Sequence, residues 1–269
     1  MILNSITWTA HPEIFRIGNF AIRWYGVLFA SGFATGYFIM LKFFKKENVP
    51  VKLLDQLTTY MVIATVIGAR LGHCLFYEPA YYLSHPIEIL KIWEGGLASH
   101  GAAIGILLAV YIFSRKNKVS YWWTMDRIAL VTALAGFFIR MGNLMNSEIF
   151  GRPTSLPWGF IYANASDPAQ RMQARHPTQI YEGLAYLLIF VILIVIYYKK
   201  NGKPREGSLL SLFLLLVFAA RFLIEFLKEP QVGFEQSMIL NLGQLLSIPF
   251  ILAGSAGLFL IYRKKEKQV

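Results

Sequence analysis

Residues Val131–Gly151 read VTALAGFFIRMGNLMNSEIFG. The first eight are apolar or small, yet Arg140, Asn143, Asn146 and Glu148 then fall within nine residues and the stretch closes on Gly151. A helix that apolar, ended by that many polar groups, reads as a membrane span leaving the bilayer at a functional surface. The rest of the chain agrees. Of 269 residues, 56% are hydrophobic and only 15% charged, with mean hydropathy +0.49, whereas soluble domains carry about 25% charged residues. Lipid, not water, is the expected solvent.

A span needs about 20 apolar residues to cross about 30 Å of hydrocarbon. Seven windows qualify, near 22–41, 56–77, 96–114, 124–142, 179–198, 208–227 and 239–262. The expected fold is an all-α integral membrane protein with about seven transmembrane helices. Residues 1–269 are read as a single membrane domain with a polar insertion at about 143–178, since no fixed-period repeat or low-complexity segment marks a second one. The first twenty residues lack a basic start followed by a short apolar core and small-residue cleavage site, so the first span is expected to stay in the mature protein.

The net charge of +11 raises the question of nucleic acid, but the basic residues do not form an aromatic-interleaved face, and no nucleic-acid partner is expected. They cluster instead at span ends: Lys42, Lys45, Lys46 and Lys52; Arg115, Lys116 and Lys118; Lys199, Lys200, Lys203 and Arg205; Arg263, Lys264, Lys265 and Lys267. These clusters alternate with basic-poor connections. Basic loops stay cytoplasmic, which puts the N-terminus outside, the C-terminus inside and the 143–178 insertion extracytoplasmic. Cys74 is the only cysteine, so an intramolecular disulfide or a cysteine metal cluster is excluded. The five histidines show no pair at ligand spacing, and neither a metal nor a cofactor is expected.

With the spans oriented, Tyr25, Arg70, His73, His100, Arg140, Arg221 and Glu225 all fall toward the outer side. Charges within spans are costly and face cavities or partners. Singly, Arg70 or Arg221 could snorkel to the interface or pair structurally; together they mark a site. Arg221 and Glu225, four apart on one face, are spaced for an ion pair. WEGGLASHGAAIG (93–105) sets glycines on both sides of His100, where another helix or a ligand can approach closely. RHPTQIYEG (175–183) puts a proline at a helix start, with Gln179 and Glu182 on one face. Arg140, Asn143 and Asn146 recur every three residues, a polar stripe if the helix continues. Arginine suits a phosphate and asparagine a loop backbone or a glycerol hydroxyl, so an anionic lipid headgroup fits.

RMGNLMNSEIFG, Arg140–Gly151, resembles the signature of the bacterial phosphatidylglycerol–prolipoprotein diacylglyceryl transferases, approximately R-x-G-N-x-x-N-x-E-x-x-G. WYG (24–26), GAR (68–70), GGLASHG (95–101), HPTQIYE (176–182) and RFLIEF (221–226) resemble that family's other blocks, in its order, so the similarity covers nearly the whole chain. One departure is Ala102, where the family often has a second glycine after the histidine and glycine matched here by His100 and Gly101.

The resemblance implies a seven-helix body in the bacterial inner membrane with a small extracytoplasmic head drawn from 143–178. It also implies transfer of the diacylglyceryl group of phosphatidylglycerol to the lipobox cysteine thiol of prolipoproteins, releasing glycerol phosphate. A thiol of pKa about 8.5 needs a base or a positive field; His100 suits the first and an arginine the second. Arg140 and Arg221 would stabilise the leaving phosphate, with Arg70 a further candidate. Glu148 and Glu225 are expected to orient the arginines, and Tyr25, Asn143, Asn146, Gly151, Gln179 and Glu182 to bind the headgroup or build the site. Two rivals stand beside this reading. A transporter would call for repeats and broken mid-membrane helices; no repeat is visible, and the polar residues cluster at one leaflet instead of along a path. A non-enzymatic anionic-lipid-binding protein would use the same arginines without chemistry.

Overall fold

The computed structural model describes residues 5–18, 20–229 and 238–263; Lys264, Lys265 and Lys267 of the last basic cluster lie outside these. Eight α-helices run through them: α1 (Trp24–Lys46), α2 (Val51–Phe76), α3 (Pro79–Ser84), α4 (Ser99–Asn117), α5 (Tyr121–Met145), α6 (Thr178–Lys199), α7 (Ser208–Glu225) and α8 (Leu242–Arg263). Four short strands, β1 (Ile6–Trp8), β2 (Glu13–Ile17), β3 (Phe20–Arg23) and β4 (Phe160–Tyr162), accompany them.

Six of these helices, α1, α2, α5, α6, α7 and α8, are long and apolar enough to cross a membrane, and each coincides with an expected window. They leave large apolar side chains uncovered by protein, such as Phe38, Leu188 and Leu252, the arrangement of a multi-pass integral membrane protein. The remaining window, 96–114, is occupied by α4. It starts three residues later and ends on Arg115, Lys116 and Asn117, so less of its length is apolar.

The chain forms two compact units, Met40–Met125 and Met1–Ile39 with Asp126–Val269. In the first, α2 packs on α4 through bare backbone. A Cβ on Gly68 would lie 2.5 Å from the Gly101 carbonyl oxygen, and one on Gly105 would lie 2.5 Å from that of Ala64. Small residues at these spacings let two helices touch where no hydrophobic force drives them together. Gly101 and Gly105, the glycines that follow His100, therefore serve a helix contact. Phe43, Phe44, Leu54, Leu57 and Phe113 fill the core of this unit, and the Trp123 indole donates to Glu47 (2.7 Å).

In the second unit, glycines on α5 and α6 again bring helices close: Gly136 faces the Tyr186 ring, and Gly183 faces Met141. At the far end of α5, the Asp126 carboxylate accepts from the backbone N–H groups of Gly207 (2.9 Å) and Leu210 (2.8 Å), closing the first turn of α7. Neighbouring Arg127 donates to the Gly202 carbonyl (2.9 Å). α7 receives from another helix the cap that its own Gly207 cannot supply.

A small lobe stands where α5 ends and α6 begins. Its core is Leu144, Phe150, Phe160, Tyr162 and Ala165, with Trp8, Met141 and Ile180 packed against it. β1 pairs in parallel with β4, and the Trp8 indole donates to the Leu144 carbonyl (3.0 Å). The lobe thus draws on the N-terminal segment as well as on the 143–178 insertion.

Candidate active site

The polar stripe on α5 forms as its spacing suggests. The helix runs to Met145, and the Arg140 Nη1 donates to Asn143 Oδ1 one turn on (3.2 Å). The backbone then turns sharply through Ser147 and Ile149, both in the left-handed region (φ 53° and 57°). That turn folds Glu148 back under the helix end, where its Oε1 accepts from Asn143 Nδ2 (2.8 Å) and Asn146 Nδ2 (3.2 Å). Such strain in non-glycine residues persists where surroundings over-determine it, and it gathers at functional sites. Here the surroundings are explicit: Gln179 Nε2 donates to the Glu148 carbonyl (2.7 Å), and the Tyr162 hydroxyl donates to Gln179 Oε1 (2.9 Å). Burial pushes the Tyr162 phenol well above its usual pKa, keeping it a donor. The Thr178 hydroxyl donates to the Ile149 carbonyl (3.0 Å). Gln179 is therefore a fully buried strut of the turn.

The carboxylate that faces Arg140 is Glu182, at 2.5 Å from Nε. Glu148 meets the asparagines directly and reaches Arg140 only through Asn143. The expected Arg221–Glu225 pair does not form. Among the described residues, Glu225 pairs with Lys228 one turn on, Oε2 to Nζ 3.1 Å, and Lys228 reaches Glu182 Oε1 at 2.9 Å. Both Glu182 oxygens are thus at ion-pair distance from a cation, at angles outside hydrogen-bond geometry. Lys228, Glu182 and Glu225 are all nearly sealed from solvent, at 3%, 0% and 4% exposure. Arg221 forms no ion pair among the described residues. Its guanidinium and that of Arg140 both act electrostatically on the buried Tyr186 hydroxyl, so the two arginines share one locality.

Two glycines make this convergence possible. A Cβ on Gly151 would lie 2.5 Å from the Leu227 carbonyl oxygen and 2.8 Å from His176 Cβ. The chain passes between these because the position has no side chain, and it bridges there to Lys228. Gly142 does the same for Tyr25, whose ring would meet an added Cβ at 2.7 Å. Tyr25 lies within electrostatic reach of Glu148 and Arg140. Asn146 Oδ1 and Ser147 Oγ are buried without a hydrogen-bond partner among the described residues, leaving polar groups in the turn unmatched.

Arg70 and His100 belong to the other compact unit. The Arg70 guanidinium is committed to backbone: Nε donates to the Ile89 carbonyl (2.9 Å), Nη2 to Glu88 (2.6 Å), and Nη1 to Gly95 (2.7 Å) and Gly96 (3.3 Å). It also lies over the Tyr82 ring. Gly96, at φ 67°, has the His73 ring and Arg70 where its Cβ would be. His100, in the first turn of α4, is exposed beside Phe76 and Tyr77, and its ring nitrogens have no hydrogen bond among the described residues.

Sequence reasoning passed over Lys228, Tyr186 and the lobe contribution of Trp8. For Lys228 a signal existed: a lone lysine one turn beyond Glu225, in a connection otherwise poor in Lys and Arg. Tyr186 sits four residues after Glu182 on the same face, unremarkable among apolar neighbours.

Residues 12–260 match the model of a family described as prolipoprotein diacylglyceryl transferase. A protein of Tolumonas auensis named phosphatidylglycerol–prolipoprotein diacylglyceryl transferase is 48% identical, over 97% of this chain and 99% of its own length. Proteins of the same name from Chloroherpeton thalassium and Porphyromonas gingivalis are 48% and 45% identical; each match covers 93% of this chain, and 91% and 92% of the relatives respectively. A match that reaches from the strand before α1 into α8, at such identity, leaves no part of the site outside it: the chain belongs to the prolipoprotein diacylglyceryl transferase family.

Proposed function

We propose that this protein transfers the diacylglyceryl group of phosphatidylglycerol to the lipobox cysteine thiol of prolipoproteins, as a multi-pass enzyme of the bacterial inner membrane. The site opens to the extracytoplasmic side, with seven spans, α4 among them, the N-terminus outside and the C-terminus cytoplasmic. The 143–178 insertion, joined by β1, is its extracytoplasmic head. The alternation of basic connections supports that orientation.

The observation that carries the reading is the locality shared by Arg140 and Arg221, one arginine held by Glu182 and Asn143, the other without a carboxylate partner among the described residues. The thiol sulfur attacks the glycerol carbon bonded to the phosphate ester oxygen. A carbon–sulfur bond forms, that carbon–oxygen bond breaks with its electron pair, and glycerol phosphate departs. Arg221 and Arg140 stabilise the charge that gathers on the leaving phosphate in a poorly hydrated site. The thiol proton passes to His100 as base, or an arginine field stabilises the thiolate directly. Tyr25, Asn143 and Asn146 meet the glycerol headgroup, the last through its unmatched Oδ1. Glu148, Gln179 and Gly151 hold the turn that presents them. Glu182 and Glu225 position the cations, and Arg70 supports the loop it binds.

Purified protein incubated with phosphatidylglycerol and a lipobox peptide should give a peptide heavier by one diacylglyceryl group on mass spectrometry. Loss of that adduct in Arg140→Ala and Arg221→Ala supports the phosphate role, and its survival in His100→Ala would assign thiol activation to the arginines. If wild type gave no adduct but retained phosphatidylglycerol, the protein would be an anionic-lipid-binding protein without chemistry.

A further inference from the structure

Three carboxylates, Glu148, Glu182 and Glu225, stand around the two arginines of the site. Glu182 touches Arg140, Glu148 is linked to it through Asn143, and Glu225 lies against Gly243 at the start of α8. Two arginines alone would leave this group with a surplus of negative charge. A lipid whose phosphodiester is itself negative would then enter a poorly hydrated region of its own sign, where repulsion is screened least. Lys228 is the cation that offsets the third carboxylate. Its Nζ lies 2.9 Å from Glu182 and 3.1 Å from Glu225, with the side chain only 3% exposed. Its backbone is fixed independently, by the bridge to Gly151 and by the Arg152 Nε that donates to the Lys228 carbonyl (3.0 Å).

Resting on the phosphate site proposed above, we infer that Lys228 is a positioning residue that sets lipid-class selectivity: by pairing with Glu225 and sharing Glu182 with Arg140 it offsets the carboxylate charge, so that the two arginines can still attract an anionic phosphodiester. A residue that served only to hold the fold would affect all lipids alike. A residue that balances the charge of the site affects anionic lipids selectively, and its loss is relieved by removing one carboxylate.

The test is lipid retention by native mass spectrometry, phosphatidylglycerol against diacylglycerol, which carries no phosphate, with transfer kinetics measured in parallel. Lys228→Met should weaken phosphatidylglycerol retention and raise its KM by roughly tenfold or more, since a buried charge left without its partner is strongly unfavourable. Diacylglycerol retention should stay unchanged. Lys228→Arg should recover most of the loss, and Lys228→Met with Glu225→Gln should bind phosphatidylglycerol better than Lys228→Met alone. Lys228→Gln, which keeps donors and drops the charge, gives the same comparison if the methionine variant does not fold. Equal losses for both lipids, or no gain from the added Glu225→Gln, would overturn the inference. Absence of transfer by a wild type that retains phosphatidylglycerol would instead count against the transferase reading, while the retention comparison would still decide the role of Lys228.

Discussion

Arg70 and Arg140 are both arginines near the end of a long apolar helix, and the structure treats them differently. Arg70 gives its donors to four backbone carbonyls between Glu88 and Gly96. Arg140 gives its donors to side chains, Glu182 and Asn143, which are held by further side chains in turn. A carbonyl that bonds an arginine is part of the chain path, so Arg70 cannot release its partners without remaking a loop. A side-chain network can exchange a partner for a substrate oxygen at the cost of a rotamer change. The difference teaches that burial and charge alone do not tell one buried arginine from another; the kind of partner decides which can exchange it.

Replacing Arg140 breaks the comparison most directly. Arg140→Ala should lower diacylglyceryl transfer per folded molecule by about 10²–10³-fold, the usual effect of removing one transition-state donor, and should also lower the unfolding midpoint in detergent, because the buried Glu182 loses its nearest cation. Arg140→Lys should restore little, because an ammonium cannot meet Glu182 and Asn143 from one planar fork. If Arg140→Ala were inactive only because it unfolds, the contrast with Arg70 would collapse.

Arg70→Ala should lose stability alone. Four carbonyls lose their donors in a buried loop, so stability should fall by about 3 kcal/mol or more, read as a lower unfolding midpoint. Activity per folded molecule should stay within a few-fold of wild type. A folded Arg70→Ala protein with a selectively raised phosphatidylglycerol KM would move Arg70 into the phosphate clamp.

Gly151→Ala sharpens the comparison from the backbone side. The added Cβ, 2.5 Å from the Leu227 carbonyl oxygen, has to push aside the segment that carries Lys228. Displacements of an ångström at a site can reach about 10²-fold in rate; because relaxation is shared here, a loss of roughly tenfold is expected in kcat/KM.

The smallest effect is a pH dependence. Burial holds the His176 imidazole below its usual pKa, so the folded protein favours the neutral ring. Stability from this group is complete above the unfolded pKa of about 6.5 and is lost as pH falls from there through the lowered folded value. His176→Gln should flatten that acid-side decline in unfolding midpoint.

Much of this was legible because the bilayer imposes long-range order on sequence. Six spans and the basic clusters follow from composition along the chain, and the stripe of Arg140, Asn143 and Asn146 follows from helical spacing. What stayed hidden depends on contacts between distant segments. β1 pairs with β4 across about 150 residues, so nothing near Trp8 announces its place in the lobe. Glu182 and Lys228 meet although they are far apart in sequence, and the bare backbone of Gly151 seats between His176 and Leu227, which precede them. The spacing rule that suggested Arg221 with Glu225 describes neighbours on one helix, whereas Glu225 found a cation just past its end. The left-handed turn at Ser147 and Ile149 leaves no glycine mark, since its strain is borne by Gln179 and Thr178 from α6.

The cap that Asp126 places on α7 also bears on how the protein is made. Chains emerge from the ribosome N-terminus first, so α5, which carries Asp126, is synthesised well before Gly207 and Leu210. When α7 arrives, an acceptor for its first free amides already stands at the end of an earlier helix. The exposed N–H groups that would resist entry into hydrocarbon are met on arrival, and the order of the helices along the chain doubles as an order of assembly.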